Sequence, residues 1–355
     1  MKTSKHFLLT AIFLSVTLLV QAQPPEGYYN SAFGKKQAAL KTAMQLIIND
    51  HDERSYADLW SDFYTTDQKS GGQVWDMYSN CNFTFFSAQC GNYSGICDCY
   101  NREHSMPQSW FSGAGPMYTD LFHLYPTDGY TNNRRGNDPF GEVGSASWTG
   151  NNGSKVGNSS FAGYTGRVFE PAGDYKGDFA RTYFYMVTCY ENVVAGWYGN
   201  AEAKPMLNGT AYPAFQTWAI NLLLKWSRED PVSEKEIERN NAVFGIQHNR
   251  NPFIDFPELA EYIWGNNMTD AFYPQSGIDD EYLPPVRMYV SNDRLQIENL
   301  YGGGTVSVYN IYGQLLSQTA TNAETLSVPV SGDMILIVRI ADNSGRVSTY
   351  KIFGK

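Results

Sequence analysis

Apolar and polar residues alternate with helical spacing early in the chain. Between residues 38 and 49, the apolar residues Leu40, Ala43, Met44 and Ile47 recur every three or four positions. This period places them on one face of an α-helix, because an α-helix has about 3.6 residues per turn. The pattern therefore predicts an amphipathic first helix over residues 38–49.

Three further helices are predicted in the middle of the chain. They cover residues 178–190, residues 214–228 and a segment that opens with SEKEIERNNAVF. In that segment Glu236 follows Ser233 by three positions, which is the spacing of a capping box at a helix start. Residues 141–166 are rich in Gly, Ser and Asn, so they predict loop or irregular strand.

The pattern changes towards the C-terminus. Residues 286–355 contain short bursts of alternating apolar and polar residues between Gly and Asn turns, which is typical of a small antiparallel β-sandwich. This stretch has no His or Cys, so we expect no chemistry there. Residues 276–285 predict a linker. The predicted fold class is α+β: a mixed helical and small-sheet domain over residues 23–275, followed by an all-β sandwich domain.

Residues 1–22 have the features of a signal peptide. Lys2 and Lys5 give a charged start, residues 7–20 form an apolar core, and small residues suited to cleavage end at Ala22. A membrane span needs about 20 apolar residues, so this run is short for one, and no later stretch is apolar enough. We therefore expect an exported protein without a membrane span.

The charge balance limits how the protein can bind its partners. The full chain has a formal charge of −10, and loss of residues 1–22 leaves 24 basic and 36 acidic residues, a charge of −12. This balance argues against broad electrostatic capture of nucleic acid or anionic membranes. A nucleic-acid enzyme stays compatible with it, because a bound cation supplies local positive charge.

Four of the five cysteines lie close together. Cys81, Cys90, Cys97 and Cys99 fall within nineteen residues, whereas Cys189 is distant. In an exported protein this cluster favours one or two disulfides over free thiols, with the connectivity left open. The single residue between Cys97 and Cys99 is too short a spacer for an ordinary zinc knuckle.

The segment CYNREHSMPQSW contains the first candidates for chemistry. Hydrolysis of a phosphodiester needs a base for the attacking water and positive charge beside the phosphate. A neutral His suits the first task, and Mg²⁺ on a carboxylate oxygen suits the second. His104 and Glu103 can supply these groups, because neighbouring side chains of an extended segment point to opposite sides. The alternative for an isolated Glu-His pair is a solvated loop.

A second oxygen ligand is available downstream. In DLFHLYPTDGYTNNRRGNDPFGEV, Asn132, Asn133 and Asn137 surround Arg134 and Arg135. An amide carbonyl oxygen is a good ligand for a hard cation such as Mg²⁺. The alternative for such an Asn- and Gly-rich stretch is a simple turn.

Four segments, in this order along the chain, resemble the bacterial endonuclease I family. They are REHSMPQSW, DLFHLYPTDGYTNNRRGN, VFEPAGDYKGDFARTYFYM and DPVSEKEIERNNAVFGIQHNRNPFID. The resemblance implies an exported nuclease with a ββα-metal (His-Me finger) core that cuts DNA, often also RNA, with little sequence preference. It also implies Mg²⁺ as the cofactor, with Mn²⁺ or Ca²⁺ as alternatives, and products with 5′-phosphate ends.

The family motifs imply roles for single residues. They place a metal-binding carboxylate at Glu103, the general base at His104 and a second metal ligand at Asn132. Family members often carry a transition-state arginine between the two motifs, but the short segment between them here contains no basic residue. We therefore expect charge neutralisation from the metal or from an arginine elsewhere, with Arg135 and Arg181 as the candidates for substrate contact.

Other residues of the motifs have structural interpretations. His123 and His248 are expected to be structural histidines. An equally weighted alternative for Arg181 is an ion pair with Asp178, three positions earlier on a predicted helix.

The C-terminal segment has a resemblance of its own. VSVYNIYGQLL, the later ILIVRI and the basic end YKIFGK resemble the C-terminal sorting domain of the type IX secretion system. This resemblance implies contact with the secretion machinery and a secreted or cell-surface location. The alternative is a generic β-sandwich that helps to bind substrate. We expect the exported protein to be a monomer.

A second class of function is compatible with the same sequence. The acidic charge, the missing arginine and the many aromatic residues would also suit a surface binding protein or adhesin that has lost catalysis on a nuclease-like scaffold. The presence of Glu103, His104 and Asn132 favours the nuclease.

Overall fold

The computed structural model describes residues 24–273, 286–300, 304–330, 335–342 and 347–353. The chain divides into two compact units, Met1–Phe272 and Tyr273–Lys355. The expected signal peptide and linker lie outside the described residues. Within the described ranges, no helix combines the length and apolar character needed to cross a membrane.

In its described residues, the first unit contains helices and two small sheets. Its helices are α1 Gln37–Ile48, α2 Leu59–Thr66, α3 Gly129–Arg135, α4 Lys176–Cys189, α5 Glu191–Trp197, α6 Thr217–Glu229, α7 Glu234–Gln247, α8 Pro252–Asp255 and α9 Leu259–Ile263. Helices α1, α4, α6 and α7 lie where the sequence predicts helices. The capping box of α7 is formed, because Ser233 and Glu236 each accept the backbone N–H of the other.

Helix α4 lies in the core of the first unit. All its residues except Lys176 are buried, and it packs against α1, α6 and α8. Charged residues on a buried helix need partners. Asp178 pairs with Lys235 at 2.8 Å and Arg181 pairs with Glu236 at 2.5 Å, both partners being on α7. Loss of one member of a buried pair costs about 3–5 kcal/mol, so these pairs hold α7 against α4.

Strands β1 (Tyr100–His104) and β2 (Leu124–Asp128) form an antiparallel pair that leads directly into α3. His104, the last residue of β1, lies opposite Leu124. Asp128 ends β2 and caps α3, because its carboxylate accepts a backbone N–H from the first turn of the helix at 2.7 Å. This order of two strands and one helix agrees with the expected ββα core, and the mixture of helices and small sheets confirms the predicted fold class.

A second sheet of the first unit contains β3 (Val143–Thr149), β4 (Lys155–Ser159) and β5 (Arg167–Glu170), in that order and antiparallel. The register between β3 and β4 shifts twice. Residues 141–166, predicted as loop or irregular strand, therefore contain irregular strands. Their Gly and Ser content weakens strand propensity without abolishing pairing.

Two disulfides join the segment that precedes β1. Cys81 pairs with Cys97 and Cys90 pairs with Cys99, whereas Cys189 is a buried free thiol. The expectation of one or two bridges in this cluster is confirmed. The second bridge ends directly before β1, so it restrains the strand that carries the candidate site.

The second unit is an all-β sandwich. Its strands are β6 Arg287–Ser291, β7 Arg294–Glu298, β8 Gly304–Asn310, β9 Leu315–Thr321, β10 Thr325–Pro329, β11 Ile335–Asp342 and β12 Val347–Phe353. One sheet has the order β10-β7-β6 and the other β12-β11-β8-β9. Apolar residues from both sheets, among them Ile297, Val308 and Val338, pack in one core. The predicted all-β C-terminal region is confirmed.

Candidate active site

A cleft beside β1 brings three of the predicted residues together. It is lined by the strand residues Asn101 to His104, by Asn132 and Asn133 of α3, and by loop residues. The cleft has a volume of about 300 Å³. Because α3 directly follows the partner strand of β1, the ββα core places Glu103, His104 and Asn132 around one space.

Hydrogen bonding and stacking fix the ring of His104. Its Nε2 lies 2.9 Å from the carbonyl oxygen of Tyr118. A carbonyl oxygen only accepts hydrogen bonds, so Nε2 carries the proton and Nδ1 keeps its lone pair. The ring also stacks on Tyr118 and Tyr56, with centroid distances of 5.0 and 6.2 Å. These contacts orient an imidazole whose Nδ1 can accept a proton.

The environment keeps His104 neutral. Burial and, to a smaller extent, the charges of His123, Arg102 and Arg135 together lower the pKa of His104 to about 3. The hydrogen bond to the Tyr118 carbonyl acts in the opposite direction. At neutral pH the resting form is therefore the uncharged imidazole, which is the form that a general base requires.

Glu103 is a buried carboxylate with several partners. Its Oε1 accepts hydrogen bonds from Arg135 and, at 3.0 Å, from the Tyr78 hydroxyl. Burial raises the pKa of Glu103, and hydrogen bonds from Arg135, Tyr78 and Asn132 oppose that rise. The side chain is thus held in position while it lines the cleft.

Asn132 belongs to α3, lines the same cleft as Glu103 and forms a hydrogen bond with its side chain. Its amide donates to Asn101 Oδ1 at 2.9 Å, and Asn101 itself belongs to β1. Glu103, Asn132 and Asn101 together supply carboxylate and amide oxygens, which are the donors that Mg²⁺ prefers. These residues fit the cation that the family resemblance implies, with Glu103 and Asn132 as the side chains that would hold it.

The two arginines expected to contact substrate have other surroundings. Arg135 is fully buried, pairs with Glu103 and donates to the carbonyl oxygens of His104 and Ser105 at 3.0 and 2.6 Å. Arg181 is also fully buried, pairs with Glu236 and does not line the cleft. Neither residue is among those that line the described cleft, and their contact with substrate stays a prediction. The alternative ion pair with Asp178 is present only at 3.7 Å, because Glu236 is the nearer partner.

Sequence reasoning missed Arg102. This residue lies two positions before His104 on β1, so both side chains lie on the same face of the strand. Its guanidinium lies 3.6 Å above the Tyr56 ring and 4.5 Å from the Trp60 ring, and it donates to the Tyr56 carbonyl at 2.6 Å. Arg102 is the one cationic side chain that lines the described cleft. The alternation of a strand through NREH was the signal that could have identified it.

A second group of potential metal ligands lies outside the cleft. One atom each of His51, Asp120 and Cys189 lie within 4.8 Å of one another. Asp120 already accepts hydrogen bonds from Tyr185 at 2.8 Å and from Tyr190 at 2.6 Å. Burial raises the pKa of the Cys189 thiol well above its usual range, which disfavours the thiolate that binds metals. For Mg²⁺, the oxygen donors of the cleft are the better match.

The two remaining histidines of the motifs have structural surroundings. His123 is fully buried and its Nε2 lies 2.6 Å from the carbonyl oxygen of Met117. His248 ends α7 with a left-handed φ of 65° and pairs with Asp52 at the surface. Neither residue lines the cleft.

The family model for endonuclease I matches residues 36–258 of this chain. The match covers more than half of the sequence and includes β1, β2 and α3. The chain belongs to the endonuclease I family. Endonuclease I proteins are metal-dependent nucleases that act on nucleic acid. The family expected from the four sequence segments, and with it the nuclease class, is therefore confirmed.

Two similar proteins are named extracellular ribonuclease. The one from Bacillus amyloliquefaciens is 34% identical over 256 residues, which are 70% of this chain and 82% of the relative. The one from Bacillus subtilis (strain 168) is 34% identical over 245 residues, 67% of this chain and 78% of the relative. Similarity to these two relatives thus extends far beyond a single motif.

Proposed function

We propose that this protein is an exported, Mg²⁺-dependent endonuclease that hydrolyses phosphodiester bonds of RNA and DNA with little sequence preference. The observation that carries the proposal is the oriented, neutral imidazole of His104 in the same cleft as Glu103 and Asn132. A neutral base beside a set of oxygen ligands is the arrangement that metal-assisted phosphodiester hydrolysis needs.

His104 accepts a proton from the attacking water at Nδ1. The proton on Nε2 stays on that nitrogen, which donates a hydrogen bond to the Tyr118 carbonyl oxygen, and this bond stabilises the imidazolium that forms. Glu103 and Asn132 would hold the cation. When bound, Mg²⁺ acts as a Lewis acid that stabilises negative charge on the phosphate and the leaving oxygen. Arg135 positions Glu103 and the backbone of His104 from behind the cleft.

Arg102 is a positive side chain that lines the cleft, whereas the sequence indicated Arg135 and Arg181 as candidates. It lines the cleft on the same face of β1 as His104, and the Tyr56 and Trp60 rings hold its guanidinium. We assign it the role of binding a substrate phosphate. Arg102→Ala should raise KM for RNA, and an unchanged KM would contradict the role.

The choice of substrates follows from two sources. The similar proteins are named ribonucleases, which supports RNA as a substrate of this chain. The resemblance of the four segments implies DNA cleavage, low sequence preference and 5′-phosphate ends. Both nucleic acids contain the phosphodiester on which the cleft residues act.

Metal-dependent cleavage by the full chain tests the proposed reaction. Purified protein is incubated with RNA and with supercoiled plasmid, first with Mg²⁺ and then with EDTA. We expect cleavage of both substrates with Mg²⁺ and none with EDTA. A folded protein that cuts neither substrate would contradict the proposal and favour the binding protein. Equal cleavage in EDTA would contradict metal dependence.

Variants of the two ligands test the metal site. Glu103→Gln and Asn132→Ala should raise the Mg²⁺ concentration needed for half-maximal activity, because each removes or weakens an oxygen donor. Asn133→Ala is the matched control, since Asn133 is the neighbouring asparagine of α3 and also lines the cleft. A Mg²⁺ dependence shifted equally in the control would contradict the assignment.

For the second unit, we propose a role in export. The residues of the cleft all belong to the first unit, and the second unit is a sandwich with its own core. These features support the sorting module that its sequence resembles, with a secreted or cell-surface nuclease as the result. Deletion of residues 286–355 in a bacterium with a type IX system should retain the nuclease inside the cell. Unchanged export of the shortened chain would contradict this role.

A further inference from the structure

Two exposed aromatic rings lie side by side on the first unit. Tyr64 of α2 is 51% exposed and Phe86 is 57% exposed, and their ring centroids lie 5.8 Å apart. Single exposed apolar residues are common on protein surfaces, but adjacent large rings form a patch that suits a ligand. No part of the mechanism above uses either ring.

This patch connects to the cleft through Trp60. Trp60 and Tyr64 are four residues apart on α2, so their side chains are neighbours on one face of the helix. Trp60 also contacts Arg102, whose guanidinium lies 4.5 Å from the ring centroid. We call Trp60, Tyr64 and Phe86 the aromatic stripe. It begins beside the arginine of the cleft, follows one face of α2 to Tyr64 and ends at Phe86, whose ring lies next to that of Tyr64.

The backbone holds Phe86 with its ring outside. Phe86 has a left-handed φ of 63°, a conformation that L-residues other than Asn and Asp rarely adopt. Its N–H donates to the Tyr100 hydroxyl at 3.1 Å. The preceding Phe85 is buried against Tyr64 and Tyr100, with centroid distances of 5.3 and 6.4 Å. Phe85 therefore anchors this segment, and Phe86 presents its ring to solvent.

The charge of the molecule favours stacking as the means of binding. A chain with a formal charge of −10 cannot rely on many phosphate contacts, which dominate the binding of duplexes. Stacking of bases on aromatic rings needs no positive charge and works for every base. It requires unpaired bases, however, because pairing and stacking within a duplex cover the base faces.

We propose that the aromatic stripe binds unpaired bases next to the phosphodiester in the cleft, and that single-stranded segments are the preferred substrate. The inference rests on the proposed function for the reaction in the cleft. Arg102 lines the cleft and contacts Trp60, so a strand whose phosphate contacts Arg102 can place its neighbouring bases beside Trp60 and Tyr64. The specificity concerns strandedness and not base sequence.

Binding without turnover tests the stripe directly. The full chain is titrated in EDTA into a fluorescein-labelled oligothymidylate and, separately, into a labelled blunt DNA duplex, with anisotropy as the readout. Tyr64→Ala and Phe86→Ala should each weaken single-strand binding about tenfold and leave duplex binding nearly unchanged. Tyr64→Phe keeps the ring and should bind like the wild type, whereas Tyr64→Leu should bind like Tyr64→Ala.

The control is Leu46→Ala, which removes another exposed apolar side chain, from α1. Thermal melts confirm that each variant is folded, and the Tyr64 series alone decides the outcome if Phe86→Ala is unstable. Equal affinity for the single strand in all variants would overturn the proposal. A loss of duplex affinity as large as the loss of single-strand affinity would also overturn it.

The outcome for the stripe is separable from the outcome for the reaction. Ring-dependent single-strand binding by a chain that cuts nothing with Mg²⁺ would support the stripe and contradict the proposed function. Cleavage with Mg²⁺ combined with ring-independent binding would overturn the stripe alone.

Discussion

Arg135 is a buried charged side chain that holds residues of the candidate site through its contacts. Its buried guanidinium pairs with Glu103 and donates hydrogen bonds to the backbone carbonyls of His104 and Ser105. It therefore ties the end of α3 to both candidate functional residues of the strand. Its contribution is positional, and its loss should first appear as a loss of stability.

Replacement of Arg135 by Met should lower the free energy of unfolding by about 3–5 kcal/mol, because it leaves the Glu103 carboxylate buried without its cation. Urea denaturation measures this change. Arg134→Met is the matched control, since the neighbouring Arg134 is exposed and rests on Tyr130. Equal losses in the two variants would show that the buried pair has no special role.

Asp76 is a second single residue that gives a prediction, in this case for how stability depends on pH. Burial raises the pKa of Asp76 from 3.8 to about 7, against the opposing hydrogen bonds from Ser79 and the Tyr78 N–H. Between these two pKa values the folded state binds more protons than the unfolded state. The stabilisation that Asp76 contributes is therefore fully present below the pKa of the unfolded state. It is lost as the pH rises through the pKa of the folded state.

We expect the unfolding free energy to fall by at most about 4 kcal/mol between about pH 4 and about pH 8 through this group. Urea denaturation across that range measures the fall. Asp76→Asn should flatten the profile, whereas Asp174→Asn, at an exposed position, should not. A wild-type profile that Asp76→Asn leaves unchanged would contradict the shifted pKa.

Among the elements, those with local signals were predictable. The periodicity of α1 and the Ser233–Glu236 capping box of α7 are contained within a few residues, and the structure confirms both helices. Helices α2, α5, α8 and α9 are short, so they offer too few turns for a period to be recognised. The pairing of β1 with β2 was not predictable from pattern alone, since a long loop separates the strands.

In the candidate site too, some features were predictable from the sequence and others were not. Glu103 and His104 are adjacent, and the family motifs indicated Asn132, so the cleft contains the residues that the sequence suggested. The surroundings of Arg135 and Arg181 were not predictable, because their partners Glu103 and Glu236 are distant along the chain and adjacent only after folding. A basic residue in a sequence does not reveal whether a buried carboxylate will pair with it.

The two disulfides in the segment before β1 should contribute to stability. Cys90 and Cys99 are separated by 9 residues and Cys81 and Cys97 by 16. Loops of this size are stabilised by about 3 kcal/mol per bridge in the chain-entropy model. Cys90→Ser/Cys99→Ser should lower the melting temperature by several degrees. Cys189→Ser is the control, because Cys189 is a free thiol in the described structure. An unchanged melting temperature in the double variant would contradict this contribution.

On the scale of the whole molecule, the candidate cleft and the proposed sorting module belong to separate units. Each unit has a hydrophobic core of its own, and the cleft residues all come from the first. Residues 24–273 alone should therefore fold and cut plasmid DNA at a rate within a few-fold of the full chain. Plasmid nicking by the two proteins measures this. Loss of cleavage by a folded short chain would show that the second unit contributes to the reaction.

The rate of RNA cleavage by His104→Ala tests the central claim most directly, with Mg²⁺ present and His248→Ala as control. His248 is a surface histidine whose side chain is 65% exposed, so its loss should leave the rate nearly unchanged. Loss of the general base should lower the rate by about 10²–10⁴-fold while the protein stays folded. A folded His104→Ala variant that cleaves RNA as fast as the His248→Ala control would contradict the assignment of the base and of the site around it.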